Sequence, residues 1–136
     1  MPQKRSPSIK TSSARVLIVE DDEPTRDALM LKLASMDIRA AAAKDGEEAI
    51  QQIHQQPWDV IVVDILLPKQ NGFTVLEGVR REPHCARATV FVFTNLSGAE
   101  HKGRALELGA HAFFEKTKMS LHDIAQKIAQ ALDKKQ

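Results

Sequence analysis

The chain has 136 residues, of which 43% are hydrophobic and 27% are charged, and this mix is typical of one globular domain. Its one cysteine, Cys85, can form no disulfide within the chain. Its apolar runs are too short for a membrane span or a secretory signal. We therefore expect a cytoplasmic protein that does not enter a membrane.

Charge is distributed unevenly along the chain. Residues 1–15 contain four bases and no acid, whereas residues 16–136 contain fifteen bases and eighteen acids. A mildly acidic folded part argues against direct DNA binding through a broad basic face. The first residues are also rich in proline and serine, so we predict a disordered basic tail over residues 1–13 and one folded domain over residues 14–136. A basic arm that contacts a partner is the alternative for the tail.

Short apolar runs alternate with segments of helical periodicity from residue 14 onward. Residues 15–19 predict a strand. Residues 24–36 predict a helix, and its apolar positions are Ala28, Leu29, Leu31, Leu33 and Met36. Residues 38–43 predict a second strand, although four of them are alanines with low strand propensity, and residues 46–55 predict a second helix.

The second half of the chain contains the stronger strands. Residues 58–63 (WDVIVV) and 89–93 (TVFVF) predict buried strands, and residues 112–115 predict a short final strand. Helices are predicted at residues 73–81, 98–108 and 121–132, and Gly109 is placed to end the second of these. Strands of near-continuous Val, Ile and Phe are covered on both faces, which favours a parallel sheet between helices in a doubly wound α/β sandwich.

Polar side chains follow the strands where the strands end. In chain order, these residues are Glu20, Asp21, Asp22, Asp64, Thr94 and Lys116. Because the carboxyl ends of parallel strands share one edge of a sheet, we expect these groups to meet in one small volume.

This set of residue types predicts phosphoryl chemistry. Several carboxylates held together repel one another unless a cation separates them, and ligands that are all oxygen select a hard ion such as Mg²⁺. A lysine and a threonine beside that ion can pair with phosphoryl oxygens. Asp64 stands alone after the central strand and is the natural nucleophile for an aspartyl phosphate. The five histidines are scattered without the spacing of zinc ligands.

Four segments carry a resemblance to a known family, namely VLIVEDDE, VVDILLPKQNG, VFTN and AFFEK. With these motifs in this order, residues 14–133 resemble a receiver domain of bacterial two-component response regulators, similar to the single-domain chemotaxis type. The resemblance implies a flavodoxin-like (βα)5 sandwich with strand order 2-1-3-4-5.

The resemblance also implies roles at the phosphoryl site. It makes Asp64 the phosphoacceptor, Thr94 the switch hydroxyl and Lys116 the lysine that pairs with the phosphate. Phe113, three residues before that lysine, takes the place of an aromatic rotamer switch. A plain core phenylalanine is the alternative for Phe113, because it lacks the usual tyrosine hydroxyl.

The implied cofactor is Mg²⁺. By position, Glu20 and Asp21 help to bind the ion, with Asp21 the more direct ligand and Asp22 an additional acid. Asp64 contributes its carboxylate, and Leu66 stands where a backbone carbonyl usually completes the set of ligands.

The chain departs from the family pattern at three places. Thr117 follows Lys116 where a proline with a cis peptide bond is common, so the loop is either trans or strained. Asn95 stands where a small residue is usual and narrows access for phosphodonors. Leu66 and Leu96 occupy the positions two residues after Asp64 and two after Thr94, where apolar groups cannot orient an attacking water, and we therefore expect slow self-dephosphorylation.

These features together predict a stand-alone phosphorylation switch rather than an enzyme acting on a separate substrate. A histidine kinase or a histidine phosphotransfer protein would donate the phosphoryl group to Asp64. The surface of the last two helices and the fifth strand would then meet a downstream protein or form a phosphorylation-dependent homodimer. About 20 residues follow Lys116, so no attached DNA-binding domain is expected.

Two alternatives come from other functional classes. The domain could be a docking module that works without phosphate, although the intact set of Asp64, Thr94 and Lys116 argues against that function. It could also be an aspartyl-phosphate phosphatase, but such enzymes usually need a second catalytic carboxylate and a cap over the substrate, and this chain has no room for a cap.

Overall fold

The computed structural model describes residues 14–135, so the predicted tail at residues 1–13 lies outside the described residues. The elements in chain order are β1 (Val16–Val19), α1 (Glu23–Ser35), β2 (Ala40–Ala43), α2 (Gly46–Gln55), β3 (Val60–Val63), α3 (Gly72–Arg81), a single 3₁₀ turn (Pro83–Cys85), β4 (Thr89–Thr94), α4 (Ala99–Glu107), β5 (Ala112–Glu115) and α5 (Leu121–Asp133).

The five strands form one parallel sheet in the order β2-β1-β3-β4-β5, which confirms the predicted doubly wound α/β fold. Successive side chains of a strand point to opposite faces, so each strand feeds two apolar layers. Leu17 and Ile61 lie in the layer beneath α2, α3 and α4. Ile18 and Val62 lie in the layer beneath α1 and α5. This double coverage explains why the central strands consist of apolar residues alone.

Four helices begin at a polar side chain that accepts a hydrogen bond from the backbone N–H three residues later. These N-cap residues are Asp22, Asp45, Asn71 and Ser120. The bonds satisfy N–H groups that have no partner inside the helix. Two glycines bound α4: Gly98 precedes it, and Gly109 follows it with a φ of 104° that suits a residue without a Cβ. The predicted helix end at Gly109 is therefore confirmed.

The prediction for α1 is wrong at one position. Leu31 was expected on the apolar face, but 73% of its surface is exposed, whereas Leu29 and Leu33 are buried. Residues four apart lie on the same side of a helix, and a residue two positions away points to the opposite side. Three predicted strands also begin too early, because the observed strands start at Val16, Ala40 and Val60.

The alanine segment does form the second strand, and it lies at one edge of the sheet. Pairing with β1 along its whole length places these small side chains in the sheet in spite of their low strand propensity. Cys85 is buried in the 3₁₀ turn, and burial raises the pKa of its thiol. Within residues 14–135, no helix has the length and apolar character needed to cross a membrane.

Candidate functional site

The candidate site lies at the carboxyl-terminal edge of the sheet, where β1, β3, β4 and β5 end. Backbone hydrogen bonds extend the pairing just beyond the strands: Glu20 N–H donates to the Ala43 carbonyl at 3.0 Å, and Asp64 N–H donates to the Val19 carbonyl at 3.0 Å. At the fifth strand, Lys116 N–H donates to the Thr94 carbonyl at 2.8 Å. The polar residues that follow the strands are thus held by the sheet itself and not by mobile loops.

The carboxylate of Asp64 is the centre of the cluster. One of its oxygens, Oδ1, accepts hydrogen bonds from the Thr94 hydroxyl at 2.7 Å and from the Leu66 backbone N–H at 3.0 Å. The other oxygen, Oδ2, accepts a hydrogen bond from Lys116 Nζ at 2.8 Å. Asp64 is only 5% exposed, so these donors replace the water that a buried carboxylate would otherwise need.

Three carboxylates converge beside this centre. Glu20, Asp21 and Asp64 each offer an oxygen, and these oxygens lie within 4.8 Å of one another. Glu20 and Asp64 are buried, whereas Asp21 is exposed and therefore faces the solvent side of the cluster. A set of oxygen donors with one open side matches the way in which Mg²⁺ is held by one or two carboxylates while it keeps several waters.

Lys116 supplies the counter-charge. Its Nζ lies 2.6 Å from Glu20 Oε1 and 2.8 Å from Asp64 Oδ2, so one ammonium bridges two buried carboxylates. Burial raises the pKa of Glu20, and the hydrogen bond and charge of Lys116 oppose that rise only in part. For Lys116, burial lowers the pKa, but its hydrogen bonds and attraction to Asp64 and Glu20 outweigh burial and raise it. The lysine therefore remains charged at neutral pH.

Thr94 links the cluster to the loop that precedes α4. Its hydroxyl donates to Asp64 and accepts a hydrogen bond from the Leu96 backbone N–H at 3.2 Å. Thr94 is fully buried, and its partners fix the direction of both bonds, because a carboxylate only accepts and an N–H only donates. A change at the Asp64 carboxylate would reach the β4–α4 loop through this one side chain.

The side chains of two sequence-predicted residues lie outside the hydrogen-bonded cluster. The Asp22 carboxylate is the N-cap of α1 and accepts from the Thr25 backbone N–H at 3.1 Å, whereas the Asp22 backbone N–H donates to Glu20 Oε2 at 3.2 Å. Phe113 lies in β5 opposite Val92 and packs, half-buried, against the apolar layer beneath α2, α3 and α4. Its position as a neighbour of β4 suits either a switch or a core residue, so its role stays a prediction.

Three residues at the departures from the family pattern follow Asp64 or Thr94 by one or two positions and reach the surface. Leu66 is 51% exposed, Asn95 is exposed and Leu96 is half-buried. The peptide bond between Lys116 and Thr117 is trans, since the described residues contain no cis peptide bond. The effects of Asn95 on access and of the two leucines on hydrolysis stay predictions, as does the role of the Leu66 carbonyl.

Sequence reasoning missed residues that position the cluster from outside. Arg26 in α1 donates from Nη1 to the backbone carbonyl of Glu20 at 3.2 Å and that of Asp21 at 3.5 Å. Gly72, at the start of α3, packs so closely on the strand end that a Cβ there would lie 2.5 Å from the Asp64 carbonyl oxygen. No local pattern in the sequence predicts this contact between Gly72 and Asp64.

The loop between β3 and α3 is also held in place by ion pairs. Lys69 has a φ of 66°, and its Nζ lies 3.6 Å from Asp45 Oδ2 and 3.4 Å from Glu47 Oε1. These contacts join the segment that follows Asp64 to the start of α2. The arrangement as a whole brings the Asp64 carboxylate, the Lys116 ammonium, the Thr94 hydroxyl and two further acids together at one edge of the sheet.

Comparisons with known proteins agree with this geometry. The family model described as "Response regulator receiver domain" matches residues 16–129. The gliding motility regulatory protein of Myxococcus xanthus is 30% identical over 127 residues, which cover 93% of this chain and 16% of that protein. The chain spans less than half the length of the curated relatives that it matches.

Two solved structures share the fold. The CheY-like response regulator receiver domain protein of Methanospirillum hungatei superimposes with a TM-score of 0.79 at 26% identity and covers 88% of this chain and 94% of that one. The receiver domain of the Francisella response regulator 1452 gives a TM-score of 0.80 at 23% identity, over 91% of this chain and 100% of that one. The second likeness concerns the fold alone.

Proposed function

Since the chain belongs to the family of response regulator receiver domains of two-component systems, we propose that Asp64 accepts a phosphoryl group from a phosphohistidine. The donor is a histidine kinase or a histidine phosphotransfer protein. One observation carries the proposal: the Asp64 carboxylate is bonded to Lys116 and Thr94 and stands within 4.8 Å of two further acids. A core aspartate with a purely structural role would have no need of two additional carboxylates beside it.

The transfer step is a displacement at phosphorus. A carboxylate oxygen of Asp64 forms a bond to phosphorus while the bond from phosphorus to the donor imidazole breaks, and the imidazole nitrogen keeps the electron pair. Lys116, already 2.8 Å from the carboxylate, pairs with an oxygen of the transferred group. The product is an acyl phosphate on Asp64 and a free histidine on the donor.

Glu20, Asp21, Asp64 and the Leu66 carbonyl would hold a Mg²⁺ ion at the open side of the cluster. The donor set fits this hard ion because it consists of oxygens alone and because one acid, Asp21, is solvent-facing. When bound, Mg²⁺ supplies positive charge that offsets the charge on the phosphoryl oxygens.

Thr94 would pass the effect of phosphorylation on to the surface that binds a partner. In the unphosphorylated domain its hydroxyl donates to Asp64, and after transfer it turns to donate to a phosphoryl oxygen. That turn moves Leu96, whose N–H is bonded to the same hydroxyl, and vacates space that Phe113 fills. The surface of α4, β5 and α5 then changes and meets a downstream protein or a second copy. The expectations of a stand-alone, cytoplasmic regulator without DNA binding stay predictions.

Incubation with acetyl phosphate and Mg²⁺ tests the proposal through the intact mass of the protein. We expect one added phosphoryl group on the parent chain, none on Asp64→Asn, and an unchanged addition on Asp133→Asn, a matched loss of charge at the far end of α5. Circular dichroism checks that both variants are folded. If the parent chain takes up no phosphoryl group, the proposal is wrong and the docking module becomes the better account.

A further inference from the structure

Two histidines and one glutamate form a cluster between the last turn of α2 and the 3₁₀ turn that follows α3. His54 Nδ1 lies 2.8 Å from Glu82 Oε1, and His84 Nδ1 lies 3.6 Å from Glu82 Oε2. One carboxylate thus has an imidazole nitrogen beside each of its oxygens. The two histidines show no spacing of metal ligands in the sequence, and the fold alone brings them to the same carboxylate.

The hydrogen bond of His84 fixes which of its ring nitrogens carries the proton. Its Nε2 lies 2.7 Å from the Ile53 carbonyl oxygen, and because a carbonyl only accepts, Nε2 is the donor. In the neutral ring, Nδ1 then carries the lone pair, and it faces the Glu82 carboxylate, which also only accepts. Two acceptors cannot bond to each other, so this pair needs a proton or a metal ion between them.

The surroundings of the cluster resemble those of a metal-binding imidazole. A histidine that binds a metal usually donates its other N–H to a backbone carbonyl or a carboxylate, which fixes the tautomer and the orientation of the ring. His84 has this arrangement through Ile53. The Glu82 carboxylate has no ion-pair or hydrogen-bond partner other than the two histidines among residues 14–135. Its oxygens are therefore available to an ion.

The distances suit a small divalent ion once one ring turns. Zn²⁺ holds nitrogen and oxygen ligands at ~2.0–2.1 Å, so the ligand atoms of a tetrahedral site lie roughly 3.3 Å apart. The observed separations of 2.8 and 3.6 Å lie on either side of that value. Within residues 14–135, three ligand atoms lie within 4.8 Å of one another only at the acidic cluster of Asp64, so His54 must turn onto the ion. Its side chain is 77% exposed and has the space to do so.

The neighbouring thiol stays outside the cluster. Cys85 is buried, and its Sγ lies 3.7 Å from the Ile53 carbonyl oxygen and 3.8 Å from that of Gln56. Burial and, to a smaller extent, the charge of Glu82 raise the pKa of this thiol, so it remains protonated at neutral pH. The available ligands are two imidazoles and a carboxylate. Imidazole ligands favour transition-metal ions such as Zn²⁺, whereas Mg²⁺ favours oxygen alone.

We propose that His54, Glu82 and His84 bind a divalent transition-metal ion of the zinc class. His84 binds through Nδ1, Glu82 through its carboxylate and His54 through a ring nitrogen, and water completes the coordination. The ligands come from α2 and from the segment that follows α3. A bound ion therefore fastens these two parts of the chain to each other.

This site is separate from the phosphoryl site. Gln56, which follows α2, donates from its side chain to the Ala14 carbonyl at 2.9 Å, and Ala14 precedes β1. The end of α2 therefore lies at the amino ends of the strands, whereas Asp64 follows β3 at the carboxyl ends. The inference goes beyond the phosphorylation proposed for Asp64 and does not rest on it.

Titration of the isotopically labelled full chain with zinc chloride tests the proposal by NMR. An excess of Mg²⁺ is present to compete for the acidic cluster. We expect the ring signals of His54 and His84 to shift together and to saturate at one zinc ion per chain, while those of His122 do not move. The Asp64→Asn variant should give the same shifts, so failure of the phosphorylation assay does not affect this result.

Removal of single ligands supplies the matched comparison. His54→Ala and Glu82→Gln should each weaken zinc binding by at least about tenfold, because each removes a group that contacts the ion. His122→Ala, the loss of an exposed histidine on α5, should leave the affinity unchanged. Circular dichroism checks that the three variants are folded, and the exposed position of His54 makes its variant the least disruptive to packing.

Three outcomes overturn the proposal. The first is an absence of ring shifts at millimolar zinc, in which case the cluster is an ordinary ion pair. The second is that Glu82→Gln and His54→Ala bind zinc as tightly as the parent chain. The third is a doubling of the mass in sedimentation when zinc is added, which would place the ion between two chains and not within this cluster.

Discussion

Leu66 and Leu96 stand at the mouth of the site because their backbone N–H groups are part of it. The first donates to Asp64 and the second to the Thr94 hydroxyl, so both apolar side chains start within two residues of the reacting groups. Hydrolysis of an acyl phosphate needs a water that is oriented for attack, and polar side chains do this better than apolar ones. An aspartyl phosphate at Asp64 is therefore expected to be long-lived.

Replacement of both leucines tests that expectation. The double variant Leu66→Asn, Leu96→Glu should shorten the phosphoryl lifetime by about tenfold, which corresponds to ~1.4 kcal/mol in the barrier. The lifetime is measured by the decay of the phosphorylated mass after the donor is removed. Leu31→Asn with Leu106→Glu, at exposed leucines away from the site, is the control and should leave the lifetime unchanged. Equal lifetimes in the parent and the first variant would show that these side chains do not limit hydrolysis.

Gly72 is required by a close contact and not by its backbone angles. A Cβ at this position would lie 2.5 Å from the Asp64 carbonyl oxygen and 2.5 Å from the Ile65 Cα, which only a shift of backbone could relieve. We expect Gly72→Ala to lower the free energy of unfolding by about 1–3 kcal/mol and to slow phosphorylation of Asp64. Urea denaturation and the rate of labelling measure the two effects.

Gly103 is the matched glycine, because nothing lies within 4 Å of the Cβ that would be added in α4. Gly103→Ala should raise the free energy of unfolding by about 0.5–1 kcal/mol, since alanine loses less conformational freedom in a helix. A Gly72→Ala variant as stable as the parent would refute the steric account.

At this scale, the sequence predicts the chemical groups of the site better than the residues that hold them. Glu20, Asp64 and Lys116 each follow a strand, so the parallel sheet brings them together without further information. Arg26 acts on backbone carbonyls from a helix, and such a contact depends on how two segments pack. No local pattern encodes it.

Helix starts show how each element is held in place. The first turn of α5 has a complete capping box, in which Ser120 Oγ accepts from the Asp123 N–H at 3.0 Å and the Asp123 carboxylate accepts from the Ser120 N–H at 3.1 Å. Two hydrogen bonds lower the pKa of Asp123. The larger effect comes from the backbone of Ser120 and the smaller one from its side chain. The charged carboxylate is therefore favoured in the folded state.

This lowered pKa makes the stability of α5 depend on pH in a defined direction. Its contribution is fully present above the ordinary aspartate pKa of 3.8 and is lost as pH falls through the lower value of the folded state. We expect Asp123→Asn to reduce the free energy of unfolding more at about pH 6 than at about pH 3, measured by urea denaturation. Asp133→Asn, the same change at the other end of α5, should not reduce it at either pH. A loss that is equal at both pH values would contradict the capping role.

Element boundaries could be predicted less well than element types. The alternation of apolar runs with helical spacing predicted all five strands and all five helices. A strand buried on both faces is apolar throughout, and a helix buried on one face has apolar residues at helical spacing. The apolar face predicted for α1 included Leu31, but this side chain points toward the solvent. Composition alone does not distinguish a residue on the buried side from one two positions away.

At the scale of the whole molecule, one edge of the sheet concentrates the negative charge of the candidate site. Lys116 offsets part of this charge, but three carboxylates remain within 4.8 Å of one another. Their mutual repulsion opposes folding in the absence of a cation. Mg²⁺ should therefore stabilise the folded chain by binding it and not the unfolded one.

Thermal and urea unfolding measure this linkage. At a free Mg²⁺ concentration about 100 times the dissociation constant, the free energy of unfolding should rise by ~2.7 kcal/mol. Asp21→Asn should abolish most of that rise, whereas Asp27→Asn, an equal loss of charge on the exposed side of α1, should retain it. An equal rise in the parent and in Asp21→Asn would place the ion elsewhere.

Sheet order and layering were predictable because near-continuous apolar strands fit only a sheet covered on both faces, as β1 and β3 show. The contact of Lys69 with Asp45 and Glu47 was not predictable, since it depends on where the loop between β3 and α3 lies relative to the start of α2. Such contacts arise from packing between segments that are far apart in the sequence.

The most direct test of the account is to find the residue that carries the phosphoryl group. Borohydride reduces an aspartyl phosphate to homoserine, so reduction after treatment with acetyl phosphate and Mg²⁺, followed by peptide mass spectrometry, reports the modified position. We predict homoserine at residue 64 and at no other aspartate. Homoserine at another position, or none in a folded chain, would contradict the assignment of Asp64 as the phosphoacceptor.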